Sequence, residues 1–172
     1  MKARIKIPNA MLDEIRDDLH RPHAFAYERV GFMTAGVTQA APGQLLLLAR
    51  AYRRVADEDY VPDPTVGAKI GSDAMRKAVQ FAYQPRSALL HIHSHGGHGR
   101  PNFSGVDLTS GAEFVPGFFH SVPRMPHGML VMSNNSATGM LWFGPEETGT
   151  YVAEFVGVGT PYRKFGMRHE LA

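Results

Sequence analysis

The chain has 172 residues, 44% of them apolar and 20% charged, which is enough for a hydrophobic core and the wrong balance for a disordered segment. Its net charge is only +2, with no dense run of Lys and Arg, which argues against a nucleic-acid-binding protein. There is no cysteine, so disulfides, thiolate metal sites and a cysteine nucleophile are excluded, and any soft-metal site has to be built from histidine and carboxylate.

The length fits one domain better than two, so residues 1–172 are read as a single domain with a polar, basic tail at about 159–172. The longest apolar run, Leu45–Ala49, is the length of a strand, far short of the roughly 20 residues that span a bilayer. Residues 1–6 alternate charge and apolar character and hold no signal-peptide core. A cytoplasmic protein without membrane contact is expected.

Ile5 and Ile7 alternate with Arg4 and Lys6, as in a short strand. Asn9 then caps a helix to about His20, with Met11, Leu12, Ile15 and Leu19 on one face and Pro22 beyond its end. Ala26–Ala35 and Gln44–Val55 read as strands separated by a turn at 39–43, and Glu28 falls inside the first of them. Residues 57–71 mix acidic residues, prolines and glycines without periodicity, the pattern of a loop that could face a substrate. Ser72 caps a helix to Tyr83, and Ser87–His95 is a strand running into a glycine-rich loop. Ser104 caps a further helix, from Gly105 to about Phe114. Residues 128–133 and 139–143 form a hairpin around 134–137, and Tyr151–Val158 is the last strand. Met125, Met129, Met132, Met140 and Trp142 are assigned to the core or its rim. The mixed order of elements reads as an α+β protein, an α-β-α layered domain with an antiparallel centre.

Four of the nine histidines lie between positions 91 and 98. Alternate residues of a strand share a face, so His93 and His95 point the same way, close enough to grip one ion. Asp107, in the first turn of the following helix, closes such a site from a second direction. Two imidazoles and a carboxylate with a fourth position open match a catalytic zinc site rather than a structural one. His91 shares the same face, and periodicity by itself leaves it in play as a ligand. His98 is a loop histidine that either faces solvent or touches substrate or metal. A hydrolase of this kind also needs a proton-transferring base, and the Ser104 hydroxyl is placed to stabilise an oxyanion.

These residues in this order, Glu28, His93-Ser94-His95, an eight-residue linker and Ser104-Gly105-Val106-Asp107, resemble the JAMM/MPN+ zinc metalloproteases, also called JAB domains. The segment Glu28–Gly36 is similar to the family's strand after its glutamate, and the likeness covers about residues 1–145. Two departures stand out: Gly96 replaces the family's usual proline, and the linker is one residue longer.

The resemblance implies a single α-β-α layered domain of the cytidine-deaminase-like/JAB type with a central mixed sheet. It implies one Zn2+ per chain on His93, His95 and Asp107, with Glu28 as general base and acid and Ser104 at the oxyanion. It leaves His91 and His98 as substrate-facing residues. Read without the motif, Glu28 would be a strand carboxylate paired with Arg29 or Arg53, and Ser104 a plain helix cap. The implied activity is that of a deubiquitinase-like isopeptidase. Small stand-alone bacterial members of this kind occur with ubiquitin-like conjugation machinery, some of it antiviral, and both process a ubiquitin-like protein and remove it from its conjugates. The alternatives are a hydrolase acting on sulfur-carrier C-termini or their amino-acid adducts, an inactive MPN scaffold, and a DNA-associated relative.

Overall fold

In the computed structural model, residues 1–24 and 26–166 are described. Strand β1 (Lys2–Pro8) buries Ala3, Ile5 and Ile7 and exposes Lys2 and Arg4, the alternation its sequence calls for. Helix α1 (Asn9–Leu19) turns Leu12, Ile15 and Leu19 inward. Asn9 is its first residue rather than its cap; among the described residues no side chain caps this helix, and the Asn9 side-chain Nδ2 donates to the Pro161 carbonyl at 2.9 Å.

Strands β2 (Val30–Ala41) and β3 (Gln44–Arg54) form a long antiparallel pair. β2 starts later and runs further than its apolar core suggests, which leaves Glu28 in a bend ahead of the strand instead of within it. A single 3-10 turn at Asp57–Asp59 opens the following loop, and α2 (Ser72–Tyr83) packs Ala74, Ala78 and Ala82 inward. Strand β4 (Ala88–Ser94) leads through the glycine loop to α3 (Gly105–Ser121), longer than expected because the helix continues past Pro116. The hairpin β5 (His127–Met132) and β6 (Ala137–Trp142) follows.

The expected last strand is in fact two, β7 (Thr150–Tyr151) and β8 (Glu154–Val158). Part of the expected tail forms a further strand, β9 (Arg163–Phe165), antiparallel to β8. The rest of the expected tail, from residue 167 on, lies outside the described residues.

All nine strands of the described residues belong to one mixed sheet in the order β7-β6-β5-β4-β2-β3-β1-β8-β9. The pairs β4–β5, β1–β3 and β1–β8 are parallel. The connection from β7 to β8 shows the shape. Two residues, Val152 and Ala153, link strands near opposite ends of that order. In a flat sheet with strands about 4.8 Å apart, β7 and β8 would be roughly 34 Å apart, whereas so short a link spans only about 10 Å. The sheet therefore has to curl. The Val152 amide donates to the Gly139 carbonyl of β6 and the next amide, Ala153, to the Ala3 carbonyl of β1, both at 2.8 Å, which ties the two ends together. Register shifts in the β2–β3 pair at Thr34/Ala35 and Gln39/Ala41 add the local twist that curling needs.

The expected single α-β-α layered domain of the cytidine-deaminase-like type is thus corrected. The fold is dominated by a nine-stranded mixed sheet curled as a half barrel, with three short helices of 11, 12 and 17 residues. Residue periodicity identifies strands but not their neighbours, and it missed the closing role of the chain's last third. No helix among the described residues is long and apolar enough to cross a membrane.

Two apolar clusters form on the sheet. One joins Ile5, Met33, Leu47, Leu90, Ile92 and Phe155 to α1, and the other joins Phe32, Leu89, Met129 and Trp142 to α2 and α3. β4 divides its residues between them, with Leu90 and Ile92 in the first and Leu89 in the second. The two-residue period of the strand therefore places His91 and His93 on the side of α2 and α3.

Candidate metal centre

The centre is assembled from three segments. The first is the end of β4, which lies between β2 and β5 with His93 opposite Val30 and Val131. His95 follows the strand, its amide donating to the Met132 carbonyl at 3.0 Å so that the extended path continues one step further. The chain then turns through Gly96 and Gly97, at φ +63° and +65°. A proline at position 96 could not take this backbone, because its ring locks φ near −65°. The loop is fastened to the β5–β6 turn: the Asn134 amide donates to the Gly97 carbonyl at 3.0 Å and the Ser133 hydroxyl to the Gly99 carbonyl at 2.6 Å.

The second segment is the start of α3. Ser104 caps it as expected, and reciprocally: the Asp107 amide donates to the Ser104 hydroxyl oxygen at 3.1 Å, and the Ser104 amide to Asp107 Oδ2 at 2.7 Å. This box fixes the orientation of the Asp107 carboxylate. The third segment is the bend before β2, which delivers Glu28. The amides of Tyr27 and Glu28 both donate to the Gly67 carbonyl, at 2.8 and 3.0 Å. Gly67 lies so close that a Cβ there would sit 2.5 Å from the Glu28 carboxylate.

The polar atoms of these segments converge. His93 Nε2 and His95 Nε2 are 3.2 Å apart. Asp107 Oδ1 lies 3.2 Å from His93 Nε2, and Asp107 Oδ2 lies 3.2 Å from His95 Nε2. Ligands about 2.0–2.1 Å from a tetrahedral ion are separated by about 3.3 Å, so these distances fit the edges of one ion's ligand shell. Glu28 Oε1 is 3.8 Å from His95 Nε2, and Glu28, His93 and His95 each offer a ligand atom within 4.8 Å of the others. The donor set of nitrogen and oxygen suits a divalent cation. Burial by itself would raise the Asp107 carboxyl. The hydrogen bond and charge of His93 and the two bonds from Ser104 outweigh it and hold the group well below the usual carboxylate range.

Glu28 is not the strand carboxylate paired with Arg29 or Arg53. Arg29 is buried and donates to the carbonyls of Arg21 and Pro22 and to Asp57, while the Arg53 guanidinium lies 4.8 Å over the Phe81 ring.

No protein-family model and no curated protein matches the chain. Among solved structures, the N-terminal domain of STIL from Trichoplax adhaerens is similar at a TM-score of 0.35 and 6% identity, with 77% of this chain and 38% of that chain covered. So loose an overlap bears on neither fold nor activity.

Glu28 and Asp107 stand at the boundary of two depressions. An open groove of about 460 Å³ runs past Tyr27, Thr65, His95 and Ser104. On the other side lies a pocket of about 260 Å³, reached past His93 and walled by Val30, Val66, Ala68, Ile70, Phe114 and Met129. His91 belongs to this pocket, with its ring 5.5 Å from Phe32 and 5.0 Å from Phe114. Burial, then the charge of neighbouring His93, pushes the His91 imidazole down to about 3, so it stays neutral. His98 is exposed in the glycine loop and lines neither depression.

Residues 57–71 read in sequence as a loop that could face a substrate, but no residue of it stood out as part of the site. Val66, Gly67, Ala68 and Ile70 form the walls facing Glu28, and the only signal for them was the loop's lack of periodicity.

Proposed function

We propose that this chain is a zinc-dependent amide hydrolase of the JAMM type. It cuts after the C-terminal glycine of a ubiquitin-like protein, processing the precursor and releasing the protein from its conjugates, in a conjugation system of the kind that serves antiviral defence. The observation that carries the reading is the meeting of two imidazole nitrogens and a carboxylate at 3.2 Å separations, with a second carboxylate 3.8 Å from one of them.

His93, His95 and Asp107 would hold the ion. When bound, zinc supplies Lewis acidity and brings the pKa of a water from 15.7 down to about 7. Glu28 takes a proton from the attacking water and delivers it to the leaving amine, a shuttle suited to a carboxylate that borders both groove and pocket. The Ser104 oxygen accepts from the Asp107 amide through a lone pair, and its O–H, which bonds the Asp107 carboxylate before substrate arrives, would turn toward the developing oxyanion. The open groove admits an extended main chain, and a Gly-Gly tail lets that main chain come close to the reacting centre.

The test uses zinc-loaded protein and a ubiquitin-like protein ending in Gly-Gly plus a short extension, with a sulfur-carrier protein bearing an amino-acid adduct assayed beside it. Cleavage after the second glycine is expected by mass spectrometry. Glu28→Gln should lower the rate by about 10²–10⁴-fold, the usual worth of a general base. Elemental analysis should still find one zinc per chain. Zinc loss in Glu28→Gln would make Glu28 a ligand instead of the base, and near-normal turnover would remove it from the mechanism.

A further inference from the structure

The pocket beside His93 is unlike the groove on the other side of Glu28. It is less open and lined mainly by apolar side chains from five places: β2, the 61–71 segment, α2, α3 and β5. Its size of about 260 Å³ falls below the roughly 300–1,000 Å³ of sites that hold whole cofactors or drug-sized ligands, so it suits a single side chain. The 61–71 segment that roofs it is pinned. Tyr60 bridges Ile70, the Val61 amide donates to the Lys69 carbonyl at 2.9 Å, and Gly67 receives the amides of Tyr27 and Glu28.

The charged groups facing this pocket are already committed. Lys69 is paired with Asp63 at 3.0 Å, and Asp107 and Glu28 turn to the histidines. His91 is neutral. A charged side chain entering here would lose its hydration and find no free counter-ion, while an aliphatic one would exchange water for Ala68, Ile70, Phe114 and Met129.

Resting on the amide-hydrolase reading, we infer that this pocket is a specificity subsite that takes one aliphatic side chain, of leucine or methionine size, from a residue flanking the scissile amide. The pocket opens at the carboxylates that border the reacting centre, so the side chain it holds belongs to a residue adjacent to the cut. The open groove carries the remaining main chain.

Binding is read first, without hydrolysis. The full chain is labelled with ¹³C at the methionine methyls and titrated with N-acetyl-leucinamide. Met75 and Met129 line the pocket, whereas Met33 lies in the other apolar cluster. The Met75 and Met129 signals should move and that of Met33 should not. N-acetyl-glutamic acid amide should leave all three in place, and Ala68→Leu, which fills the pocket, should abolish the leucinamide response. Absence of a Met75 and Met129 response, or an equal response to the glutamate probe, overturns the inference.

Cleavage of peptides varied one residue at a time around a Gly-Gly amide is read second. One flanking position should favour Leu or Met over Gly by at least tenfold in kcat/KM, since each methylene in an apolar pocket is worth about 10–200-fold. Ile70→Ala, which enlarges the pocket, should move that preference toward Phe. If the methyl signals respond but no peptide is cut, the pocket binds an aliphatic side chain, but the hydrolase reading falls and the pocket's place beside a scissile amide falls with it. If peptides are cut with no side-chain preference, the subsite falls and the hydrolase reading stands.

Discussion

Gly67→Ala tests the placement of Glu28 more sharply than any change to Glu28 itself. The added methyl would sit 2.5 Å from the Glu28 carboxylate carbon and one of its oxygens, where ordinary contact begins at 3.4 Å. Relief requires the carboxylate to retreat by about 0.9 Å, and a displacement of about 1 Å at a reacting group costs on the order of 10²-fold in rate. The Gly67 backbone is not left-handed, and the obstructed atoms are the end of a flexible side chain, so stability should change by no more than about 0.5 kcal/mol. Gly71→Ala is the control: it lies in the same segment, and its methyl would meet the Asp59 carbonyl at an ordinary 3.5 Å. The assay compares kcat/KM on the Gly-Gly substrate, zinc content and Tm for the two variants. Gly67→Ala should lose about 10²-fold in rate with zinc and Tm unchanged. If it matches Gly71→Ala in rate, or if its loss tracks a loss of zinc, then Gly67 does not hold the base in place.

Three other outcomes follow from the same geometry. His93→Ala and Asp107→Ala should each lose zinc and activity together, and a chelator should reproduce the effect in the unaltered chain, whereas thiol reagents should do nothing to a protein without cysteine; zinc retained by either variant in elemental analysis would remove that residue from the ligand set. His91 is held neutral, with its folded value pushed down to about 3 from an ordinary 6.5. The unfolded chain therefore takes up a proton there that the folded one refuses. This stability contribution is fully present above pH 6.5 and is lost as pH falls toward 3, by up to about 1.4 kcal/mol per pH unit. Urea midpoints of metal-stripped protein should show His91→Gln with a shallower loss across that window, and equal slopes would refute the assignment. Gly96→Pro demands φ near −65° where the chain holds +63°. It should displace His95, weakening zinc binding and lowering Tm, and a variant with wild-type zinc affinity would show the loop to be freer than its bonds to Ser133 and Asn134 indicate.

Much of the local structure was legible in the residues. The strand period set Ile5 and Ile7 inward and put His91 and His93 on one side of β4. Ser104 was legible as the cap of a helix with Asp107 in its first turn, and the structure adds the reciprocal bond that aims the carboxylate. These are short-range matters of backbone geometry and reciprocal hydrogen bonding, which a few neighbouring residues decide. Glu28 was legible only as part of a motif, and its setting was misjudged. It lies in a bend, because the strand after it begins at Val30 and the Gly67 carbonyl takes its amide.

What only the tertiary structure decided is the shape of the sheet and the company kept by the site. A layered domain was the natural reading of mixed elements, yet the two-residue link between β7 and β8, with one amide bonded to β6 and the next to β1, requires a curled sheet. Such closure depends on which strands become neighbours across the whole chain, and no periodicity encodes that. The same holds for the pocket beside His93. Its walls come from residues 30 to 129, apolar positions that look like any others in sequence until folding faces them toward two histidines and two carboxylates.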